Sequence, residues 1–491
     1  MKVQFVYNGA ENLGIECLSS FLKSNGHVTA LLFDPAIFSG DQLINNKWLS
    51  RICSIDDLIV KRIADEKPDI IAFSCFTGNY RWCLSIAEKI KRVSQIPIIF
   101  GGVHVTAVPS EVLSNACVDY IVIGEGEYAL LELVQYLENG KEKKLSEISN
   151  LGYKQDGKLY LNNVRAYIKD LDSLPFPDKE LFYNKVSLFA EHYYIMTSRG
   201  CPFNCTYCSN NLYHSTYASE KNQLRRRSPD NVIDELKIAK LMWHPKLIKF
   251  ADDVFSSSKE WLQKFIPLYK SEINIPFFCS VHPNTMTPEI AKLLKEGGCW
   301  FVTMGVQSGS ERIRKEVFHR FGTNEQIVKA IACIKDAGMT ISVDNIFGAP
   351  SETEVDLKSS LELYCRTKPD RILTFWLTYY PGTEIIKIAL DKNELSQEDI
   401  NNANKGFIGF THESGSVNKD KKKMYQKYAV LFQLRSLVKN NQVYCFIANF
   451  LSYMPFKDIL VKLVILLNGF KNNDVMVFNA IKYICAKKKI P

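Results

Sequence analysis

The chain has 491 residues, 46% of them hydrophobic and 23% charged, with a net charge of +8. It is too long for one ordinary core, so two large domains and an appendage are expected, and its composition is that of a soluble globular protein. The basicity sits at the C-terminal end, where Lys419 to Pro491 carries fourteen Lys/Arg against three Asp. The remainder is slightly acidic, which argues against a nucleic-acid-binding body.

Met1-Lys2 leads directly into a strand-like segment, without the basic, apolar and small-residue zones of a signal peptide, so a cytoplasmic location is expected. Of fourteen cysteines, eleven are scattered through apolar segments and read as reduced, buried thiols. Residues 1–145 alternate short apolar runs with helical periodicity. Lys2 to Tyr7, Val28 to Phe33, Ile70 to Cys75, Ile96 to Phe100 and Tyr120 to Ile123 read as strands. Leu13 to Asn25, Asp56 to Glu66 and Tyr80 to Val93 read as helices. This pattern predicts a doubly wound parallel α/β sheet. Ligands in such sheets sit beyond the C-terminal strand ends, which here read Gly9 to Gly14, Ser74 to Gly78, Gly101-Gly102-Val103-His104 and Gly124-Glu125-Gly126-Glu127. No GxGxxG follows the first strand, so a nicotinamide or flavin dinucleotide is not indicated. Taken alone, these glycines are equally well read as tight turns.

Residues 146–192 read as a linker, with a hairpin at Asp156-Gly157 and a stiff crossing at Leu174-Pro175-Phe176-Pro177-Asp178. Residues 193–388 carry six strand and helix pairs, a partial (βα)6 form of the TIM-type barrel. The strands are Tyr193 to Thr197, Leu247 to Ala251, Phe277 to Val281, Phe301 to Gly305, Ile341 to Phe347 and Arg371 to Leu377. Ser228-Pro229 and Thr287-Pro288 are helix starts. Barrel sites form at C-terminal strand ends, so Asp252-Asp253, His282, Gln307-Ser308 and Gly348-Ala349-Pro350 should converge on one mouth. Asp252-Asp253 also reads as a helix cap, Gly348 as a turn residue, and Arg225-Arg226-Arg227 as a solvated charge run.

The first barrel strand delivers Cys201, Cys205 and Cys208, at spacings of four and three. A loop of three thiolates suits a 4Fe-4S cluster whose fourth iron stays open to a ligand. The alternatives are a structural zinc or a redox CxxC, but a zinc ribbon needs a second ligand pair and none is visible.

The triplet resembles the radical S-adenosylmethionine (SAM) enzymes, whose signature is CxxxCx(aromatic)C, with Tyr207 in the aromatic place. Asp252 and Asp253 lie where that family often has a GGE-like motif meeting the SAM amino group, though the glycines are missing. Gly305 to Glu311, with Gln307 and Ser308, resembles the segment that approaches the SAM sugar and carboxylate. Asn345 to Thr353, with Gly348, resembles the segment beside adenine. The order Asn12-Leu13-Gly14-Ile15, Gly101-Gly102-Val103-His104, then Gly124-Glu125-Gly126-Glu127 resembles the cobalamin-binding domain found ahead of many radical SAM domains, as in class B radical SAM methyltransferases. That resemblance implies cobalamin contacts at Asn12, Gly14, Ser74, Thr77, Gly101, Gly102, His104, Gly124, Glu125 and Gly126. Within the wider cobalamin-binding class a DxHxxG motif supplies a lower histidine to cobalt. Here Gly9 and Glu11 stand in the places of its Asp and His, which counts against a mutase.

The implied chemistry is reductive cleavage of SAM to a 5′-deoxyadenosyl radical, hydrogen removal from an unactivated carbon, and methyl transfer by way of cobalamin. An external electron donor such as flavodoxin or ferredoxin is implied with it. C-methylation of a small-molecule or lipid-like substrate is the leading reading. The rivals are oxidation, cyclisation or rearrangement without methyl transfer, and a non-catalytic cobalamin-binding sensor, against which the intact triplet speaks. No motif identifies a catalytic acid, base or nucleophile.

Residues 389–491 read as a helical C-terminal region, with an amphipathic helix at Met424 to Lys439. The apolar runs Phe456 to Leu467 and Val475 to Cys485 are each too short to span a bilayer. Lys457, Lys462, Lys471 and Lys487-Lys488-Lys489 beside them suit either a helical cap over the barrel mouth or peripheral contact with an anionic membrane surface.

Overall fold

The computed structural model describes residues 1–36, 54–139, 144–220, 224–407 and 419–452, together with Trp48 and Leu467. The apolar runs 456–467 and 475–485 and their lysines lie outside the described residues, Leu467 apart.

The first unit is a seven-stranded sheet. Its strands are β1 (Lys2–Asn8), β2 (Val28–Asp34), β3 (Ile70–Ser74), β4 (Ile98–Gly101), β5 (Tyr120–Val122), β6 (Leu151–Gln155) and β7 (Lys158–Leu161), in the order β2-β1-β3-β4-β5-β6-β7. The first five are parallel, β6 adds antiparallel to β5, and β7 adds antiparallel to β6. β1 is buried from Val3 to Tyr7, as a strand covered on both faces must be. The helix Leu13–Ser24 starts on Asn12, whose Oδ1 accepts the Ile15 N–H at 3.0 Å.

The hairpin at Asp156-Gly157 is therefore not part of a free crossing. It extends the first sheet, because Gly152 lets Leu161 and Ile121 close over it where a side chain would clash. The rest of the connector is also packed into the body: Leu181, Phe182 and Tyr183 are buried in an apolar cluster that runs from the face of β1 to Tyr193 and Ile195 of the second sheet. One continuous core thus holds the two sheets together.

The second sheet has six parallel strands: β8 (His192–Ile195), β11 (Leu247–Phe250), β12 (Phe277–Val281), β13 (Cys299–Gln307), β14 (Thr340–Phe347) and β15 (Arg371–Trp376), paired in chain order. A two-residue antiparallel ladder, β9 (Ser198–Arg199) with β10 (Arg225–Arg226), lies between β8 and β11 in sequence. Ser228 and Thr287 cap their helices as expected, accepting from the N–H groups of Asn231 and Ile290.

The helix Lys419–Leu437 packs on β15 and on the helix Glu354–Thr367, with Phe432 against Phe347 and Tyr364. Its Tyr425 also meets Phe347 and Trp376, the last residues of β14 and β15. Among the described residues, no helix is long and apolar enough to cross a membrane.

Candidate active site

β8 ends at Ile195, and the cysteine loop follows the β9 turn. Cys201 and Cys205 are buried and Cys208 is half-buried at the start of the helix Ser209–Thr216. The loop is fixed from the far side of the barrel. The Thr206 N–H donates to the Phe318 carbonyl at 3.1 Å, its hydroxyl to Val317 at 2.6 Å, and Ile385 donates back to the Thr206 carbonyl at 3.0 Å. Tyr207 meets Phe318 edge to face at 4.9 Å. Burial pushes the Cys201 thiol up to about 12 and raises Cys208 as well, so binding of a metal must displace their protons.

Among the described residues, no three His, Cys, Asp or Glu side chains close on a single metal ion. A cube needs no such point, because each of the three thiolates binds a different iron. Three thiols on one loop, one of them reached by the Arg320 guanidinium at 3.5 Å, fit such a cluster.

The adjacent aspartates have different places. Asp252 is 2% exposed and accepts from the Thr197 N–H at 3.1 Å, the Thr197 hydroxyl at 2.7 Å and the Ser198 hydroxyl, so it anchors the strand end that launches the loop. Its carboxylate is spent on that anchoring. Asp253 is exposed at the mouth and accepts from Asn210 Nδ2 at 3.1 Å, while the same amide lies 3.7 Å from Cys208 Sγ.

At the end of β13 the backbone is irregular, and Gln307 stands at φ +70 with its buried Oε1 unpartnered among the described residues. Ser308 is fully buried and faces its own loop, its carbonyl accepting from Arg314 at 2.6 Å. The Gly348 N–H donates to Glu352 Oε2 at 2.8 Å, and burial lifts that carboxyl to about 7. His282 stacks on Phe203 of the cysteine loop at 3.7 Å between ring centroids. Its Nδ1 accepts the Asn284 N–H at 3.1 Å, its Nε2 is buried without a partner among the described residues, and burial brings its pKa down to about 2. The imidazole is neutral.

Above the first sheet lies a cavity of about 300 Å³. Gly14, Ser74, Gly101 and Gly102 line one side, and Gly124, Glu125 and Gly126 the next. The connector closes it with Pro175 and Phe176, and the second unit with Met196, Arg199 and Tyr213. The cavity therefore spans from the glycine rim to the strand end that carries the cysteine loop. Two glycines are required there. A Cβ on Gly102 (φ +102) would stand 2.6 Å from the Cys75 carbonyl, and one on Gly124 (φ +73) 2.0 Å from Tyr217 Oη. A rim stripped of side chains fits a broad planar group lying close to the backbone.

Asn12, Thr77 and His104 are not in the cavity wall. Asn12 serves as the helix cap. His104 is 1% exposed behind the Gly101-Gly102 turn, with Nδ1 3.1 Å from Thr77 Oγ1 and its ring against Tyr80, and burial lowers its pKa to about 4. It is a neutral core histidine. Glu125 borders the cavity, but its carboxylate is occupied: Oε1 accepts from Arg199 at 3.1 Å and Arg225 at 2.8 Å, and Oε2 from the Ile168 N–H at 2.9 Å.

Arg225, Arg226 and Arg227 do not form a solvated charge run. Arg225 is buried over the Tyr167 ring, Arg226 lies over Trp261, and Arg227 pairs with the buried Glu235 at 2.5 Å. With Tyr167 stacked on Tyr217 at 3.8 Å, they build the wall between the two units. A charge-run reading misses this because Tyr167, Glu125 and Trp261 are distant in sequence from the arginines they meet. Arg199 and Arg320 were equally unmarked, carrying no motif of their own.

Residues 195–364 match the Radical SAM superfamily, and residues 5–134 match the B12 binding domain. The chain is 32% identical over 342 residues to the uncharacterized methyltransferase PH0819 of Pyrococcus horikoshii, covering 69% of this chain and 72% of that one. It is 24% identical over 422 residues to the anaerobic magnesium-protoporphyrin IX monomethyl ester cyclase of Rubrivivax gelatinosus, covering 80% and 71%. Among solved structures, the cobalamin-dependent SAM radical enzyme OxsB with aqua-cobalamin and SAM bound is similar with a TM-score of 0.69 at 18% identity, covering 97% of this chain and 75% of that one. TsrM from Kitasatospora setae, with cobalamin and a 4Fe-4S cluster bound, gives 0.63 at 16% identity, covering 79% and 75%. At these identities the two structures bear on the fold alone.

Proposed function

This chain belongs to the cobalamin-binding radical SAM enzymes, with a 4Fe-4S cluster, SAM and cobalamin as its cofactors, and from that premise we propose that it C-methylates an unactivated carbon of a small-molecule substrate. The observation that carries the reading is the cavity lined both by the glycine rim and by Met196 and Arg199 just before the cysteine loop, which supports a cobalamin facing the cluster. When bound, the cluster with SAM supplies a radical that removes hydrogen, and cobalamin supplies the methyl group.

The residues divide as follows. Cys201, Cys205 and Cys208 hold the cluster, and Asp252 fixes the strand end beneath them. Asp253 and the free Oε1 of Gln307 offer acceptors at the mouth for the SAM amino and ribose groups. Gly14, Ser74, Gly101, Gly102, Gly124 and Gly126 cradle cobalamin. Pro175 and Phe176 of the connector, with Arg199, Tyr213 and Arg227 of the second unit, close the cavity, which keeps water from a reactive intermediate.

An external low-potential donor of the flavodoxin or ferredoxin type supplies the electron. The basic composition of residues 419–491 favours an anionic or lipid-like substrate or membrane contact only through its charge. A second reading, radical oxidation or cyclisation without methyl transfer, is favoured by the likeness to the protoporphyrin ester cyclase.

Anaerobic reconstitution with SAM, cobalamin and reductant separates these readings. Methylation predicts both 5′-deoxyadenosine and S-adenosylhomocysteine with a turned-over substrate. 5′-Deoxyadenosine without S-adenosylhomocysteine would retire methyl transfer in favour of the second reading. Cys205→Ala should abolish both products.

A further inference from the structure

We propose that Arg320 is a positioning residue for the cluster, donating to the Cys205 sulfur and easing one-electron reduction by its charge. The guanidinium is forked between two parts of the site. Nη1 lies 3.5 Å from Cys205 Sγ, and Nη2 donates to the Gly305 carbonyl on β13, the strand that ends in Gln307.

The segment around Arg320 is built to hold it there. The Arg320 N–H donates to the Arg314 carbonyl at 2.8 Å, His319 adopts φ +46, and the preceding Phe318 and Val317 carbonyls receive Thr206 of the cysteine loop. A left-handed histidine next to the arginine indicates a backbone shaped around that side chain. Among the described residues Arg320 is the cation in contact with a sulfur of this loop, and the Asp344 carboxyl feels its charge together with that of Arg371.

The electrostatics give a direction. A cluster held by three thiolates becomes more negative by one charge on reduction, with no proton required. A guanidinium cannot lose its proton at any working pH, and in a water-poor site its attraction for the added electron is strong. Hydrogen bonds and charge at the ligand sulfurs are among the levers that set cluster potentials. Arg320 therefore favours the reduced cluster, and its fork ties Cys205 to the strand that presents Gln307.

The test uses the full chain, reconstituted anaerobically with iron and sulfide, and leaves out SAM and substrate, so its outcome is independent of the methylation reading. Redox titration followed by electron paramagnetic resonance gives the midpoint potential. Arg320→Gln should make reduction at least tenfold less favourable, about 59 mV for a one-electron couple, at equal iron per chain. Arg320→Lys, which keeps the charge, should recover part of the loss. A reduction equilibrium in Arg320→Gln that is less than tenfold weaker than in the unsubstituted protein overturns the proposal. Where Arg320→Gln takes up no cluster, pulsed resonance on the reduced, 15N-arginine-labelled unsubstituted chain decides. A nitrogen coupling lost in Arg320→Lys supports the contact, and no coupling in the unsubstituted chain removes it.

Discussion

Arg199 donates to Glu127 at 2.6 Å, joining the residue two positions before Cys201 to the helix that opens beyond the Gly124-Glu125-Gly126 rim. Arg199 also reaches Glu125, so the cysteine loop and the glycine rim share one ion network. Glu127 is 5% exposed, and removal of its cation leaves a buried, uncompensated charge. Arg199→Met should lower stability by about 3 kcal/mol, measured by urea denaturation of the full chain. The double change with Glu127→Gln should recover part of that loss.

The rim glycine Gly124 depends on Tyr217. Gly124→Ala forces a left-handed alanine and drives a methyl into Tyr217 Oη, which receives the Glu125 N–H at 2.8 Å. Backbone strain alone costs about 1–2 kcal/mol, and cobalamin retention, followed by absorbance, should fall sharply. Tyr217→Phe loses one hydrogen bond, about 1 kcal/mol. In that background Gly124→Ala should cost less than in the parent, because the clashing oxygen is gone.

Asp252 and Asp253 should separate cleanly. Asp252→Ala orphans donors on Thr197 and Ser198 at the base of the cysteine loop, and should cost about 3 kcal/mol together with most of the bound iron. Asp253→Ala exposes nothing buried, so stability and iron content should persist while SAM affinity by calorimetry drops. Retention of iron in Asp252→Ala would contradict the anchoring role.

Burial raises both Asp344 and Glu352 to about 7, and Asp344 Oδ1 is buried without a partner among the described residues. Each group binds its proton more tightly in the folded chain than in the unfolded one. Stability is therefore greatest below the ordinary carboxylate range and falls as pH rises towards about 7, after which the loss levels off. Thermal melting between about pH 5 and pH 8 should show this decline. Asp344→Asn should flatten it and melt higher than the parent at the alkaline end.

Much of the site was legible from local patterns. Cys201, Cys205 and Cys208 declared themselves by spacing, and the strand ends at Ser74, Gly101 and Gly124 by the break from β-branched runs to small residues. That Asn12 and His104 stand outside the cavity wall was not legible, for a physical reason. A polar residue at a strand end can face either the ligand or the adjoining helix, and only packing decides. His104 turned towards Tyr80 and Thr77, and Asn12 towards the Ile15 N–H.

The sequence alone determined what depends on neighbours along the chain: strand and helix periods, helix caps such as Ser228 and Thr287, and a three-thiol loop. Tertiary structure decided which charges are spent. Glu125 and Arg225 are 100 positions apart, and Cys205 and Arg320 are 115. No local period encodes such pairs, because they arise only when two sheets close on a shared core and buried ions must find partners. That closure buried a basic run among aromatic and acidic partners and placed Arg320 beside the Cys205 sulfur.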